Sequence, residues 1–530
     1  MMPGAIARSV TRGTFFLAVE KVVALVSTLV YIALLSRWLG PTKYGVFSAA
    51  FAVVGLATVL TGNFEAFLER YAAEYQAQGR LALLARAQRL ALALKLGLGL
   101  LASLALWAVT PQVVNHFRMP ELATLLPLLS LFVATDGLAT TGRAVLYGLQ
   151  RFEWVSGLSL FFNLGKTLLV GSLWWMRYGL KELALGLSIL TAIQAVIVCA
   201  AAFWALRAAR RADPRDPAAE AEQAHMPLLR PMVRYCLPLF GARASFLSGQ
   251  NLGMVILGRV LEPSALGYFK FAFQMVERFV ELAHTISTSL LPSLTQLVAR
   301  EENERLRYVF DQAFRLVQLV AVVLSFVLFA FARELTLWLG SPLFEPAVPV
   351  LRVIALVPIV RTAQQPLTML FQALRRPGLV LTLALVKLLS EIGGYFLLLP
   401  ALGVMGAAWA NVGGATASYL GALALMFIAL PLGATARLGA AARGILLIVP
   451  SLLLVLAADR LFGPVHSLPA RLFLLVPGVF GVFALGFITR FDLDKVSTLP
   501  LRSGMLSRLR DQVVRNASAF ARLFEPRRAA

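Results

Sequence analysis

Residues 35–51 read LSRWLGPTKYGVFSAAF, and residues 257–273, 222 positions later, read LGRVLEPSALGYFKFAF. Without a gap, Leu35, Arg37, Leu39, Pro41, Gly45, Phe47, Ala50 and Phe51 recur as Leu257, Arg259, Leu261, Pro263, Gly267, Phe269, Ala272 and Phe273. Upstream, the same offset pairs Arg12 with Arg234 and Lys21 with Arg243. Each copy lies between two apolar stretches, so the chain reads as a duplication of membrane segments. Matched basic residues in the two copies fit a transport path on a pseudo-symmetry axis; a catalytic centre would not need the second copy.

With 59% apolar and 14% charged residues over 530 positions, the chain is excluded from the soluble classes. Apolar stretches of about 20 residues, enough to cross roughly 30 Å of hydrocarbon as helix, recur along it. About fourteen are expected, starting near residues 14, 44, 89, 120, 152, 182, 232, 265, 308, 347, 377, 403, 441 and 469. They are continuously apolar and lack the alternation of membrane strands, which predicts an all-α polytopic membrane protein. Six spans precede the polar break at 207–231, an even number, so the repeat is expected to be parallel: two pseudo-symmetric six-helix bundles plus two extra C-terminal helices. The expected divisions are a bundle at 1–206, a cytoplasmic linker at 207–231, a second bundle at 232–430, helices 13 and 14 at 431–489, and a basic amphipathic tail at 490–530.

A net charge of +22 would point to nucleic acid in a soluble protein. Here the loops of one side carry 29 Lys and Arg and those of the other carry nine, the asymmetry that sets membrane orientation. Both termini are therefore expected in the cytoplasm, and no nucleic-acid partner is implied. The tail sets Leu506, Leu509, Val513, Ala517, Phe520 and Phe524 in one helical stripe with Arg508, Arg515 and Arg522 roughly opposite, a pattern for anionic membrane lipid. Cys199 and Cys236 fall near cytoplasmic helix ends, so no disulfide is expected. There is no Walker loop, HExxH or CxxC in the chain, so no cofactor, metal or direct use of ATP is expected.

Arg37–Phe47 in the first loop, Glu69–Tyr75 after the second span and Gly148–Glu153 at the end of the fourth resemble motifs of the polysaccharide transporter family, the lipid-linked oligosaccharide or O-antigen flippases. That family belongs to the multidrug/oligosaccharidyl-lipid/polysaccharide exporter superfamily. The resemblance implies a flippase that moves an oligosaccharide on undecaprenyl pyrophosphate across the bacterial inner membrane by alternating access, with a polysaccharide polymerase as a partner. It leaves open O-antigen, exopolysaccharide and capsule units. Two other readings compete: a multidrug extruder of the same superfamily, which calls for an acidic or aromatic cavity, and a membrane glycosyltransferase or polymerase, which calls for a large outer loop.

Eleven cations remain inside the expected spans: Lys21, Lys95, Arg143, Lys166, Arg243, Lys270, Arg278, Arg315, Arg352, Arg361 and Lys387. Seven acids accompany them: Glu20, Glu65, Asp136, Glu277, Glu281, Asp311 and Glu391. Facing lipid at mid-depth each cation costs about 2.5 to 3.5 kcal/mol, together roughly 30, more than a fold's whole stability. Most must therefore meet water or a partner. In span 8, Lys270, Gln274, Glu277, Glu281, His284 and Thr288 share one helical face, the pattern of a wetted path.

The cationic surplus suits a substrate carrying phosphate or uronic acid. Lys21 and Arg243 are the first candidates for that contact, followed by Arg278, Arg352 and Arg361, with Lys270, Lys95 and Lys166 completing the set. Glu277 and Glu281, one turn apart, with His284 and Asp136, are candidates for coupling transport to H+ or Na+. Structural readings stand beside these: Asp311 with Arg315 and Lys387 with Glu391 lie four apart and can neutralise each other, and Arg143 can reach the interface.

Overall fold

The structure is a computed structural model that describes residues 3–212, 228–288, 290–374 and 376–429, with isolated positions between 449 and 460. Every regular element among the described residues is helical. In chain order they are α1 (Pro3–Val59), α2 (Glu65–Ala77), α3 (Leu81–Phe117), α4 (Leu122–Gly148), α5 (Phe152–Trp175), α6 (Leu180–Ala212), α7 (Leu229–Val260) and α8 (Pro263–Thr288). There follow α9 (Leu291–Ala299), α10 (Asn303–Ala330), α11 (Ala332–Leu339), a 3-10 turn (Pro342–Phe344), α12 (Ala347–Ile354), α13 (Val357–Ala373), α14 (Pro377–Leu402) and α15 (Val404–Ala429).

Twelve of the expected spans have a described helix. Spans 1 and 2 are the two arms of α1; spans 3 to 6 are α3 to α6; spans 7 and 8 are α7 and α8; span 9 is α10; span 10 is α12 followed by α13; spans 11 and 12 are α14 and α15. The last two, the tail and most of the 207–231 stretch lie outside the described residues. Among the described residues, seven helical segments are long and apolar enough to cross a membrane by length and composition alone; α8, with its charged stripe, is not one of them.

The repeat is visible in the breaks. At Gly40 (φ 64°, ψ 174°) α1 leaves the helical region for backbone that is essentially reserved for glycine, and Pro41, lacking an N–H, begins the next arm at no hydrogen-bond cost. One residue before the position that matches Gly40, Leu261 is extended (φ −90°, ψ 148°), and Pro263, the counterpart of Pro41, begins α8. Packing recurs as well. In the first copy α3 lies on α4, α4 on α6 and α5 on α6; in the second α10 lies on α13, α13 on α15 and α14 on α15.

The chain forms two compact units: Met1–Phe271 with Thr336–Ala347, and Ala272–Leu335 with Val348–Ala530. In the first, Phe67, Leu84, Ala87, Val145, Ala202, Met232 and Cys236 build a core where α2, α3, α4, α6 and α7 meet. The same unit holds the two repeated Pro-x-x-x-Gly segments against one another. A Cβ on Gly45 would stand 1.7 Å from Pro263 O, and one on Gly267 would stand 2.1 Å from Pro41 O, so only glycine lets these backbones approach so closely. The second unit buries Met275, Val276, Leu294, Val317, Ala321, Ile359, Leu367, Phe371 and Leu383.

Candidate functional site

Helix α8 carries the chemistry of the second unit. Its apolar face buries Ala272, Met275, Val276 and Val280, which turns the opposite stripe away from the core. On that stripe Gln274 and Glu277 are half-buried, whereas Glu281 and His284 are exposed. Arg361, brought in by α13, donates to Glu277 through a short ion pair whose side chains are 20% and 19% exposed. Arg278 reaches along its own helix to Glu281 at 2.8 Å, with side chains 36% and 56% exposed. The two carboxylates one turn apart therefore each face an arginine, where the sequence pattern alone set them against each other. Arg352 of α12 lies over the Phe329 ring, its Cζ 5.9 Å from the centroid.

A separate charged cluster pins α14 to α15. Lys387 Nζ donates to Glu391 Oε2 at 2.7 Å, while Tyr395 Oη (2.6 Å) and Asn411 Nδ2 (2.7 Å) both donate to Oε1. Glu391, Tyr395 and Asn411 are all buried, so this carboxylate is fully satisfied by protein donors. The i,i+4 pair thus takes the structural form.

The first unit holds the most deeply buried pair. Lys95 Nζ of α3 lies 2.8 Å from Glu65 Oε2 at the start of α2, with side chains 3% and 6% exposed, and donates to Gly62 O at 2.9 Å. Beside it an open pocket, lined by Thr58, Thr61, Lys95, Asp136, Thr140 and Phe240 among others, holds about 380 Å3 free of protein atoms, open solvent included. Thr58, Thr61 and Thr140 each donate their hydroxyl to a backbone carbonyl of their own helix turn, so toward the pocket they offer acceptor lone pairs. Elsewhere in this unit buried Glu20 accepts from Ser159 Oγ at 2.8 Å.

The expected residues therefore separate. Glu277, Glu281, Arg278 and Arg361 come together on one face in the second unit, with His284 exposed one turn further along α8 and Arg352 half-buried against an aromatic ring. Lys95 and Asp136 line the pocket of the first unit, and Lys166 and Lys270, half-buried in the same unit, each have a partner. Lys21 lies on α1 and Arg243 on α7, with side chains outside the described residues. Sequence reasoning did not single out Glu65, which neutralises Lys95 from 30 positions away on another helix. Its one signal was its place among the seven intramembrane acids.

Comparison with known proteins gives this geometry a context. In the solved structures, the chain is similar to the lipid II flippase MurJ in an inward closed conformation, with a TM-score of 0.60 and 12% identity over 90% of this chain and 98% of that one. It is also similar to a multidrug resistance MATE family transporter of the MOP superfamily in an inward-facing conformation, with a TM-score of 0.57 and 12% identity over 77% and 96%. At such identities the likeness is one of fold. Over 136 residues the chain is 32% identical to stage V sporulation protein B of Bacillus subtilis (strain 168), a match spanning 25% of this chain and 26% of that protein. Residues 238–397 match the MatE family model. Residues 10–298, more than half of the chain, match the model for polysaccharide biosynthesis proteins, and this multi-pass helical membrane protein belongs to that family.

Proposed function

We propose that this protein is a flippase that carries a lipid-linked oligosaccharide, on undecaprenyl pyrophosphate, across the bacterial inner membrane by alternating access for O-antigen, exopolysaccharide or capsule synthesis. Both termini lie in the cytoplasm. Bundles at 1–206 and 232–430 flank the 207–231 linker, two further spans at 431–489 follow, and the 490–530 tail rests on anionic lipid. A polysaccharide polymerase takes the product, and H+ or Na+ drives the cycle, with Glu277, Glu281, His284 and Asp136 as its candidate sites.

The observation that carries this reading is the exposed Arg278–Glu281 pair beside Arg361–Glu277. An ion pair open to water exchanges partners cheaply, because its members are already largely hydrated. A pyrophosphate carries more charge than a carboxylate and accepts the guanidinium fork in two places, so it displaces Glu281 from Arg278 first and Glu277 from Arg361 second. Lys95, sealed against Glu65, does not exchange in this way. Lys21 and Arg243 join the contact through the repeat that pairs them, with Lys270 and Arg352 nearby in sequence to the exchanging arginines.

The test is transfer of lipid-linked oligosaccharide between the leaflets of proteoliposomes, read by accessibility to a membrane-impermeant glycan-modifying reagent. Arg278→Ala and Arg361→Ala should each slow transfer about tenfold, the scale of one charge-assisted hydrogen bond; Lys21→Ala and Arg243→Ala belong in the same series. Wild-type protein that moves no lipid-linked glycan would overturn the reading. A second reading, extrusion of organic cations, is favoured by the MatE match over 238–397. It predicts that the same vesicles accumulate a lipophilic cation when a proton or sodium gradient is imposed.

A further inference from the structure

Arg37, three residues before the break at Gly40, donates from Nε to Gly340 O at 2.9 Å and from Nη2 to Trp338 O, while Ser36 Oγ reaches Leu339 O at 3.2 Å. These carbonyls close α11, where an α-helix leaves its last C=O groups without partners and where a cation meets the negative end of the helix dipole. Moved by the repeat offset of 222, the donor Arg37 becomes Arg259 and the acceptor Trp338 becomes His116, in the last turn of α3. Arg259 Nη1 does donate to His116 O, at 3.3 Å.

The neighbours follow the same rule. Ser36 maps onto Gly258 and Leu339 onto Phe117, and a Cβ on Gly258 would lie 2.3 Å from Phe117 Cε1, so these two positions touch as well. Gly45 and Gly267, themselves related by the offset, meet each other, and a Cβ on either would come within 3.2 Å of the other's backbone nitrogen. Donor and acceptor both transform under one offset, in opposite directions, which is what a local two-fold axis produces. All of these residues lie in the first compact unit.

We propose that Arg37 and Arg259 are twin latches that hold shut one mouth of the transport path at this axis, and that both must release before that mouth opens. Each arginine is exposed and each acceptor is a backbone carbonyl at a helix end, so water replaces the lost bond at small cost and the latch is reversible. Each repeat supplies one arginine and receives the other, so neither end opens alone. The inference rests on the transport reading above, and on its topology for naming the mouth as the outer one.

The test uses the full chain with its free thiols removed (Cys199→Ser, Cys236→Ser) and one reporter, Ser48→Cys. Ser48 is buried and lies three residues past Gly45 in the second arm of α1. In right-side-out vesicles, a membrane-impermeant maleimide should label the reporter about three to ten times faster in Arg37→Ala and in Arg259→Ala, the effect of losing one exposed helix-end contact. The double variant should show roughly the product of the two factors, and Arg37→Lys, which keeps the charge without the fork, should fall between parent and Arg37→Ala. Where an alanine variant does not elute as a single species on gel filtration, Arg37→Gln and Arg259→Gln take its place. A single variant that labels at the parental rate in both right-side-out and inside-out vesicles, or a double no faster than the singles, would overturn the latch. Faster labelling only from the inner side would uphold the latch and overturn the proposed topology, while loss of glycan transfer in proteoliposomes bears on the substrate alone.

Discussion

Glu65→Gln is the substitution whose cost the structure fixes best. Lys95 is 3% exposed, and its ammonium has the Glu65 carboxylate at 2.8 Å and the Gly62 carbonyl at 2.9 Å. The glutamine keeps the shape and one acceptor but removes the compensating charge, leaving a cation that is 3% exposed with neutral acceptors in place of the carboxylate. Breaking one partner of such a buried pair costs about 3 to 5 kcal/mol. Lys95→Met should cost a similar amount, because the buried Glu65 carboxylate then loses its cation. In the double variant Glu65→Gln, Lys95→Met both charges are gone, and most of the loss should be recovered, since an apolar replacement of a buried pair is often near neutral. The assay is reversible denaturation of the purified protein in mixed micelles, with the melting temperature as a second reading. A loss under about 1 kcal/mol for Glu65→Gln, or additive losses in the double variant, would refute the claim that the two charges depend on each other.

Two further outcomes concern the fold. Gly40→Ala places a Cβ at φ 64° and ψ 174° and should lower stability by about 1 to 3 kcal/mol, measurable by the same denaturation, with Pro41 left in place. Glu391→Ala strands the buried donors of Tyr395 and Asn411 and should cost about 2 to 5 kcal/mol, whereas Lys387→Ala should cost less, because Glu391 keeps both of those bonds; the reverse order would show that the ion pair, not the hydrogen bonds, holds α14 to α15.

The architecture was legible in the sequence because its signals are local. Twenty apolar residues in a row require a helix wherever they fall, and Pro41 and Pro263 with Gly45 and Gly267 mark the same break and the same close approach in both copies. The six-residue stripe on α8 was legible for the same reason, since a spacing of three and four fixes a face. Partners were not legible. Arg361 meets Glu277 across 84 positions and Lys95 meets Glu65 across 30, and no periodicity connects residues on different helices. For that reason Glu277 and Glu281 read as neighbours competing for a proton, although in the structure each is neutralised by its own arginine. The latches were half legible: the repeat announces Arg37 and Arg259, but their acceptors are backbone carbonyls, which leave no trace in residue identity.

The meeting of Gly45 and Gly267 also has a mechanical consequence. Backbone pressed on backbone is nearly incompressible, so any rotation between these two helices turns about that spot as a fulcrum. From Gly45 to the end of α1 at Val59 is a lever of about 21 Å at 1.5 Å per residue, and a tilt of about 10° sweeps its tip through nearly 4 Å. A bulkier side chain at either glycine would shift the pivot itself, and every distance swept by the helix would change with it.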